Sequence, residues 1–144
     1  MKILGKLKDK ENGMNIFDIV GPVMVGPSSS HTAGAVRIGY VSRKLLGEPI
    51  ESVQLLLYGS FLATGKGHGT DRALVAGLLG MQPDDERVPF AFEEADRAGM
   101  AFTFGEANLK EAHPNSVVLK MTGRSGRELE VIAASLGGGR RKIC

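Results

Sequence analysis

Residues 31–58, HTAGAVRIGYVSRKLLGEPIESVQLLLY, carry a helical pattern followed directly by a strand pattern. The first part of this stretch repeats apolar residues near helical spacing until a glycine and a proline interrupt the pattern, which predicts a helix over about residues 31–46. The second part is a β-prone apolar run over residues 50–58 that ends at Gly59, which predicts a short buried strand. A helix followed by such a strand favours a sheet with helices packed on it.

The rest of the chain extends this arrangement. Further predicted elements are a helix from Thr70 or Asp71 to Leu79, a helix from Pro83 to Ala98, a strand over residues 100–104, and a hairpin of strands 116–121 and 128–136. We therefore expect an α/β (α+β) fold with a mixed β-sheet and helices packed on it. Residues 1–13 are rich in lysine and lack apolar periodicity, so we expect a mobile extension before one domain over residues 14–144.

Composition excludes several classes of protein. The 144 residues contain no apolar run of about eighteen residues and no secretory signal pattern, so we expect a cytoplasmic protein that does not span a membrane. Residues 14–139 carry 11 basic and 14 acidic side chains, which argues against nucleic-acid binding. The one cysteine, Cys144, forms no internal disulfide and no thiolate cage, so we expect no metal ligands in this chain.

The three histidines all fall in loop-like segments rich in glycine, serine or proline, and they are the candidate catalytic groups. His31 follows the serines 28–30 at a helix start, which indicates either an anion cradle or ordinary helix capping. His68 lies between two glycines and indicates either an accessible base, oriented by Asp71, or an exposed turn. His113 precedes a proline, where a turn is the better interpretation when it is taken alone.

Six motifs in order identify a resemblance. They are FDIVGP at 17–22, GPSSSHT at 26–32, YGS at 58–60, GHGTD at 67–71, HPN at 113–115 and SLGGG at 135–139. Together they resemble the beta chain of the bacterial iron-sulfur-dependent L-serine dehydratases (L-serine ammonia-lyases), over about residues 14–143.

The resemblance implies a reaction and a partner. In that family an alpha chain or domain holds a [4Fe-4S] cluster, whose open iron accepts the hydroxyl of L-serine while a base removes the Cα proton, so that pyruvate and ammonia form. Carried over by motif, the expected catalytic residues are His68 as preferred base, His31, His113 and Asp71. The expected substrate-binding residues are Ser28, Ser29, Ser30, Thr32, Ser60, Thr70 and Asn115.

The sequence also departs from the family pattern. Family beta chains usually continue past the glycine run into a regulatory ACT domain, so we expect this chain to be truncated. We also expect contacts between copies of the chain. The beta-chain fold resembles the allosteric substrate-binding domain of phosphoglycerate dehydrogenase, which supplies the alternative of a non-catalytic regulatory domain that binds a small anion. Three histidines favour the enzyme, because an anion site needs backbone amides and basic groups instead.

Overall fold

The computed structural model describes residues 2–8, 23–24, 31–59, 69–106 and 115–134. Their elements, in chain order, are β1 (Lys2–Lys8), β2 (Val23–Met24), α1 (His31–Leu46), β3 (Ile50–Gly59), α2 (Thr70–Leu78), a 3-10 turn (Val88–Phe90), α3 (Ala91–Ala98), β4 (Ala101–Glu106), β5 (Asn115–Gly123) and β6 (Glu128–Ala134). The prediction of a mixed sheet with helices packed on it is confirmed. None of these helices combines the length and the apolar character that a membrane-spanning helix requires.

The strands form one sheet in the order β2-β1-β6-β5-β3-β4. The pairing of β3 with β4 is parallel, and the other pairings are antiparallel. Antiparallel neighbours need only a short turn, as between β5 and β6, whereas the parallel pair requires a long crossover, which here contains α2 and α3.

The core lies between the sheet and the helices. Every second residue of the central strands is buried, as expected when one face of a strand meets a core. These residues are Val53, Leu55, Leu57, Val117, Leu119, Met121, Leu129, Val131 and Ala133. From α1 and α2 the same cluster takes Ala35, Val36, Ile38, Ala73, Leu74 and Leu78.

The N-terminal residues differ from the prediction. Instead of a mobile extension, Lys2–Lys8 form β1 and pair with residues 128–134 of β6. Lysines and apolar residues alternate through part of this segment, and the register sets Lys6 opposite Glu130 and Lys8 opposite Glu128. Opposite charges across a ladder stabilise strand pairing, an effect that a count of charges along the chain does not reveal. The rest of the predicted extension lies outside the described residues.

The helix predicted from Pro83 begins later than expected, at Ala91. The carboxylate of Asp85 accepts hydrogen bonds from the backbone N–H and the guanidinium of Arg87, which holds this segment in turns. Pro89 has no N–H to donate and lies in the 3-10 turn that precedes α3. Local side-chain bonding therefore overrides the acidic pattern that predicted an earlier helix start.

Three arginines fix the ends of the helices. Arg127 donates to the carbonyl of Leu46 at 3.0 Å, Arg43 to that of Leu78 at 3.2 Å and Arg124 to that of Ala98 at 2.9 Å. Each carbonyl belongs to the last residue of a helix, where a cation also interacts favourably with the helix dipole. Arg124 and Arg127 flank the turn between β5 and β6, so α1 and α3 end at that edge of the sheet.

Candidate functional site

The predicted site residues that the structure describes lie at one edge of the sheet, where several strands begin or end. At this edge β3 ends at Gly59, which lies opposite Asn115, the first residue of β5, and β6 ends at Ala134. The N-termini of α1 and α2 lie at the same edge, because each helix runs antiparallel to β3, to which it is connected. We call this end of the strands the site edge, which is distinct from the edge strands at either side of the sheet.

The two helices that begin at the site edge pack closely and run in the same direction. They meet where Gly39 of α1 faces Gly77 of α2. Gly77 is seven residues from the start of α2, which corresponds to about 10 Å of helix, and Gly39 is eight residues from the start of α1, about 12 Å. Both N-termini therefore lie on the same side of the contact, each about two turns of helix from it.

Thr70 is the best-defined polar group at this edge. The residue is 1% exposed, and its Oγ1 has no hydrogen-bond partner among the described residues. Thr70 opens α2 directly after Gly69, whose φ of 85° is a left-handed conformation that favours glycine. Because buried hydroxyls in proteins are normally hydrogen-bonded, a free hydroxyl beside a helix N-terminus is suited to bind an anionic ligand.

Asp71 and Arg72 complete the first turn of α2. Asp71 is half-buried, and its Oδ1 accepts a hydrogen bond from the backbone N–H of Arg72 at 2.7 Å. The guanidinium of Arg72 lies 4.8 Å from the ring centroid of Phe92 in α3, an attractive cation–π geometry. Phe92 in turn packs on Phe102 of β4, with ring centroids 5.0 Å apart. These contacts attach the first turn of α2 to α3 and the edge strand.

The structure places some of the predicted residues and does not describe others. His31 and Thr32 are the first two residues of α1, and Asn115 is the first residue of β5, so their backbones lie at the site edge together with Thr70 and Asp71. The remaining predicted residues lie outside the described part of the chain, namely His68, His113, Ser28, Ser29, Ser30 and Ser60.

Two features that shape this edge were not predicted from the sequence. One is the stacking of Arg72 on Phe92, for which the sequence carries no local signal, since the two residues come from different helices. The other is the contact between Gly39 and Gly77. Here a signal exists, because each glycine follows an alanine four residues earlier, and small residues at that spacing allow two helices to approach closely.

Known proteins resemble this chain over most of its length. Residues 15–101 match the serine dehydratase beta chain family. The L-serine dehydratase beta chain of Peptoniphilus asaccharolyticus is 49% identical over 128 residues, and the probable L-serine dehydratase beta chain of Bacillus subtilis strain 168 is 46% identical over 129 residues. These alignments cover 88% and 90% of this chain and 58% of each relative.

A longer relative shows the same similarity within a larger protein. The L-serine dehydratase of Streptomyces coelicolor is 35% identical over 114 residues, which cover 74% of this chain and 25% of that protein. The matched region therefore occurs both in separate beta chains and within a protein named for the whole enzyme. The chain belongs to the serine dehydratase beta chain family.

Proposed function

We propose that this chain is the beta-chain part of an L-serine dehydratase, which converts L-serine to pyruvate and ammonia. The observation that carries the proposal is the convergence of His31, Thr70 and Asn115 on the site edge, each from a motif that resembles this family. The names of the relatives support the reaction class and the substrate.

The proposed role of α2 is to bind the carboxylate of L-serine. A helix N-terminus attracts negative charge, and the buried hydroxyl of Thr70 adds a hydrogen-bond donor that no described residue uses. Hydroxyls and an amide from neighbouring segments would complete this binding set, from Ser28, Ser29, Ser30, Thr32, Ser60 and Asn115.

The proposed chemistry of this chain is proton transfer by its histidines. His68 is the preferred base for the Cα proton, since a neutral imidazole is the usual base near neutral pH. Loss of the proton and of the hydroxyl converts serine to aminoacrylate and water, and hydrolysis of aminoacrylate yields pyruvate and ammonia. His31 and His113 would support or replace His68, and Asp71 would orient the base.

The donor set of this chain does not fit a [4Fe-4S] cluster. Such a cluster is held mainly by cysteine thiolates, and the sequence has one cysteine. Within the described ranges no group of three or more His, Cys, Asp or Glu side chains could hold a metal ion. We propose that an alpha chain or domain binds the cluster. We also propose that copies of this chain contact one another in the complex, and that the complex works in the reducing cytoplasm.

Reconstitution tests the proposal directly. The chain is expected to release no pyruvate from L-serine by itself and to support pyruvate formation when it is mixed with a purified iron-sulfur alpha chain of a serine dehydratase. A matched mixture with heat-denatured alpha chain is the control. Serine-dependent pyruvate formation by the isolated chain, or none by the complex, would contradict the proposal.

The identity of the base has its own test in the reconstituted enzyme. Replacing His68→Ala is expected to lower kcat by about two to four orders of magnitude, the usual contribution of a positioned general base. Exchange of the Cα proton of L-serine with solvent should stop, while the KM changes less. His31→Ala is the matched comparison. If that variant loses the exchange while His68→Ala retains it, the base is His31.

A further inference from the structure

The contact between α1 and α2 leaves no room for a side chain at either glycine. A Cβ added to Gly77 would overlap the carbonyl oxygen of Val36 and lie 2.7 Å from the backbone nitrogen of Tyr40. A Cβ added to Gly39 would lie 2.5 Å from the carbonyl oxygen of Leu74. All of these neighbours are backbone atoms of helices, which cannot rotate away as a side chain can.

This contact sets the spacing of the two helices where they meet. The two helices are rigid over the short distance from the contact to their first residues, so a shift of one helix against the other moves its N-terminus by a similar amount. A hydrogen bond weakens steeply when its atoms move by much less than 1 Å beyond their preferred separation or turn out of line. The unpartnered hydroxyl of Thr70 is therefore sensitive to the spacing of α1 and α2.

We propose that the Gly39–Gly77 contact positions the candidate site, by holding the N-termini of α1 and α2 at the separation that lets Thr70 and the start of α1 bind the same substrate. This inference rests on the proposed function, because it concerns the same site. Neither glycine touches the substrate in this account. Each is a positioning residue that acts through Thr70.

A double-mutant cycle in the reconstituted enzyme separates this role from a general loss of stability. Thr70→Val removes the hydroxyl and keeps the shape, and it is expected to raise the KM for L-serine about tenfold, the effect of losing a hydrogen bond to a charged group. Gly77→Ala is expected to raise the KM by a similar factor. The double variant should have the KM of Thr70→Val, because a misplaced hydroxyl and a missing one are equivalent.

Leu46→Ala is the matched control. Leu46 is fully buried at the far end of α1, so its truncation lowers stability and leaves the helix N-termini in place. Its KM should match that of the original chain, and it should not alter the effect of Thr70→Val. Gly39→Ala tests the same contact from α1 and replaces Gly77→Ala if that variant does not fold.

The outcomes distinguish the two proposals. If Gly77→Ala and Thr70→Val multiply each other's effect on the KM, or if the glycine variants only lower the melting temperature as Leu46→Ala does, the positioning role is wrong and the proposed function stands. If the reconstituted enzyme with the original chain has no serine dehydratase activity, the proposed function itself is wrong.

Discussion

A buried hydroxyl without a partner weakens a fold. Desolvation of such a group costs about 1–3 kcal/mol, and a protein that needed only stability would place an apolar group there. Thr70 is in this situation among the described residues, whereas Ser42, which is also buried, donates to the carbonyl of Ile38 at 2.7 Å. The contrast is expected if the hydroxyl of Thr70 binds the substrate, as we propose.

The first prediction follows from this cost. Thr70→Val is expected to leave the free energy of unfolding of the isolated chain unchanged or to raise it by about 1 kcal/mol, because the methyl group fills the same volume without a polar atom. Urea denaturation measures the change, and Thr70→Ser, which keeps the hydroxyl, is the control and should gain nothing. A clear loss of stability in the valine variant would mean that the hydroxyl already has a partner in the folded chain.

The second prediction concerns Glu48, at the edge opposite the site edge. Its carboxylate accepts one hydrogen bond from the hydroxyl of Ser125 and another from the backbone N–H of the same residue, each at 2.6 Å. These two hydrogen bonds lower the pKa of Glu48 below its usual 4.5. A lowered folded pKa means that this carboxylate stabilises the fold above about pH 4.5, and that the contribution disappears as the pH falls through the lowered value.

Carboxyl NMR titration measures this effect. In Ser125→Ala the pKa of Glu48 should rise toward 4.5, because the substitution removes the side-chain hydrogen bond, which lowers this pKa more than the backbone one does. Asp85 is an internal control, since its pKa of about 2 is set by Arg87, a residue that the substitution does not touch. An unchanged pKa of Glu48 would show that Ser125 does not bind this carboxylate in solution.

At the scale of elements, the arginine at the end of each helix connects that helix to another part of the fold. Arg43 belongs to α1 and donates to the last carbonyl of α2, so it fastens two helices that also meet at Gly39 and Gly77. Arg43→Met keeps the apolar stem and is expected to lower the free energy of unfolding by about 1.5 kcal/mol, as for one lost hydrogen bond to a charged donor. Lys44→Met, its exposed neighbour, should change stability by less than about 0.5 kcal/mol in the same urea titration. Equal effects of the two substitutions would contradict a bond between Arg43 and α2.

Elements whose signal is local were predicted well from the sequence. The bounds of α1 and β3 follow from periodicity over a single stretch, and the β5–β6 hairpin from two β-prone runs around a glycine turn. The late start of α3 depends on the bond between Asp85 and Arg87, which propensity does not include. The Gly39–Gly77 contact joins residues on two helices, and no pattern within one helix predicts which residue of the other helix it contacts. For the candidate site, the residues are predictions from sequence motifs, and the structure adds that the backbones of His31, Thr70 and Asn115 lie at a common edge.

Across the six-stranded sheet, β1 covers the outer side of β6 and is itself paired with the short strand β2. Without β1, β6 would present an unpaired edge, and exposed edges are sites of unwanted association between chains. The register places two lysines of β1 opposite two glutamates of β6, and the two pairs are two residues apart in each strand. The basic N-terminal segment is therefore complementary in charge to the strand on which it pairs.

The last prediction tests that complementarity. Lys6→Glu and Lys8→Glu would set like charges directly opposite Glu130 and Glu128. Each substitution is expected to weaken the β1–β6 pairing by about 0.5 kcal/mol. The double variant should therefore exchange the amide hydrogens of β1 about fivefold faster at low salt. Lys2→Glu is the matched control, because it makes the same change of charge opposite Ala134 and Met24 and should leave the exchange rates as they are. Salt near 1 M should shrink the effect of the double variant, since screening weakens repulsion between exposed charges. Equal acceleration by Lys2→Glu would mean that net charge, and not the register of β1 on β6, governs the pairing.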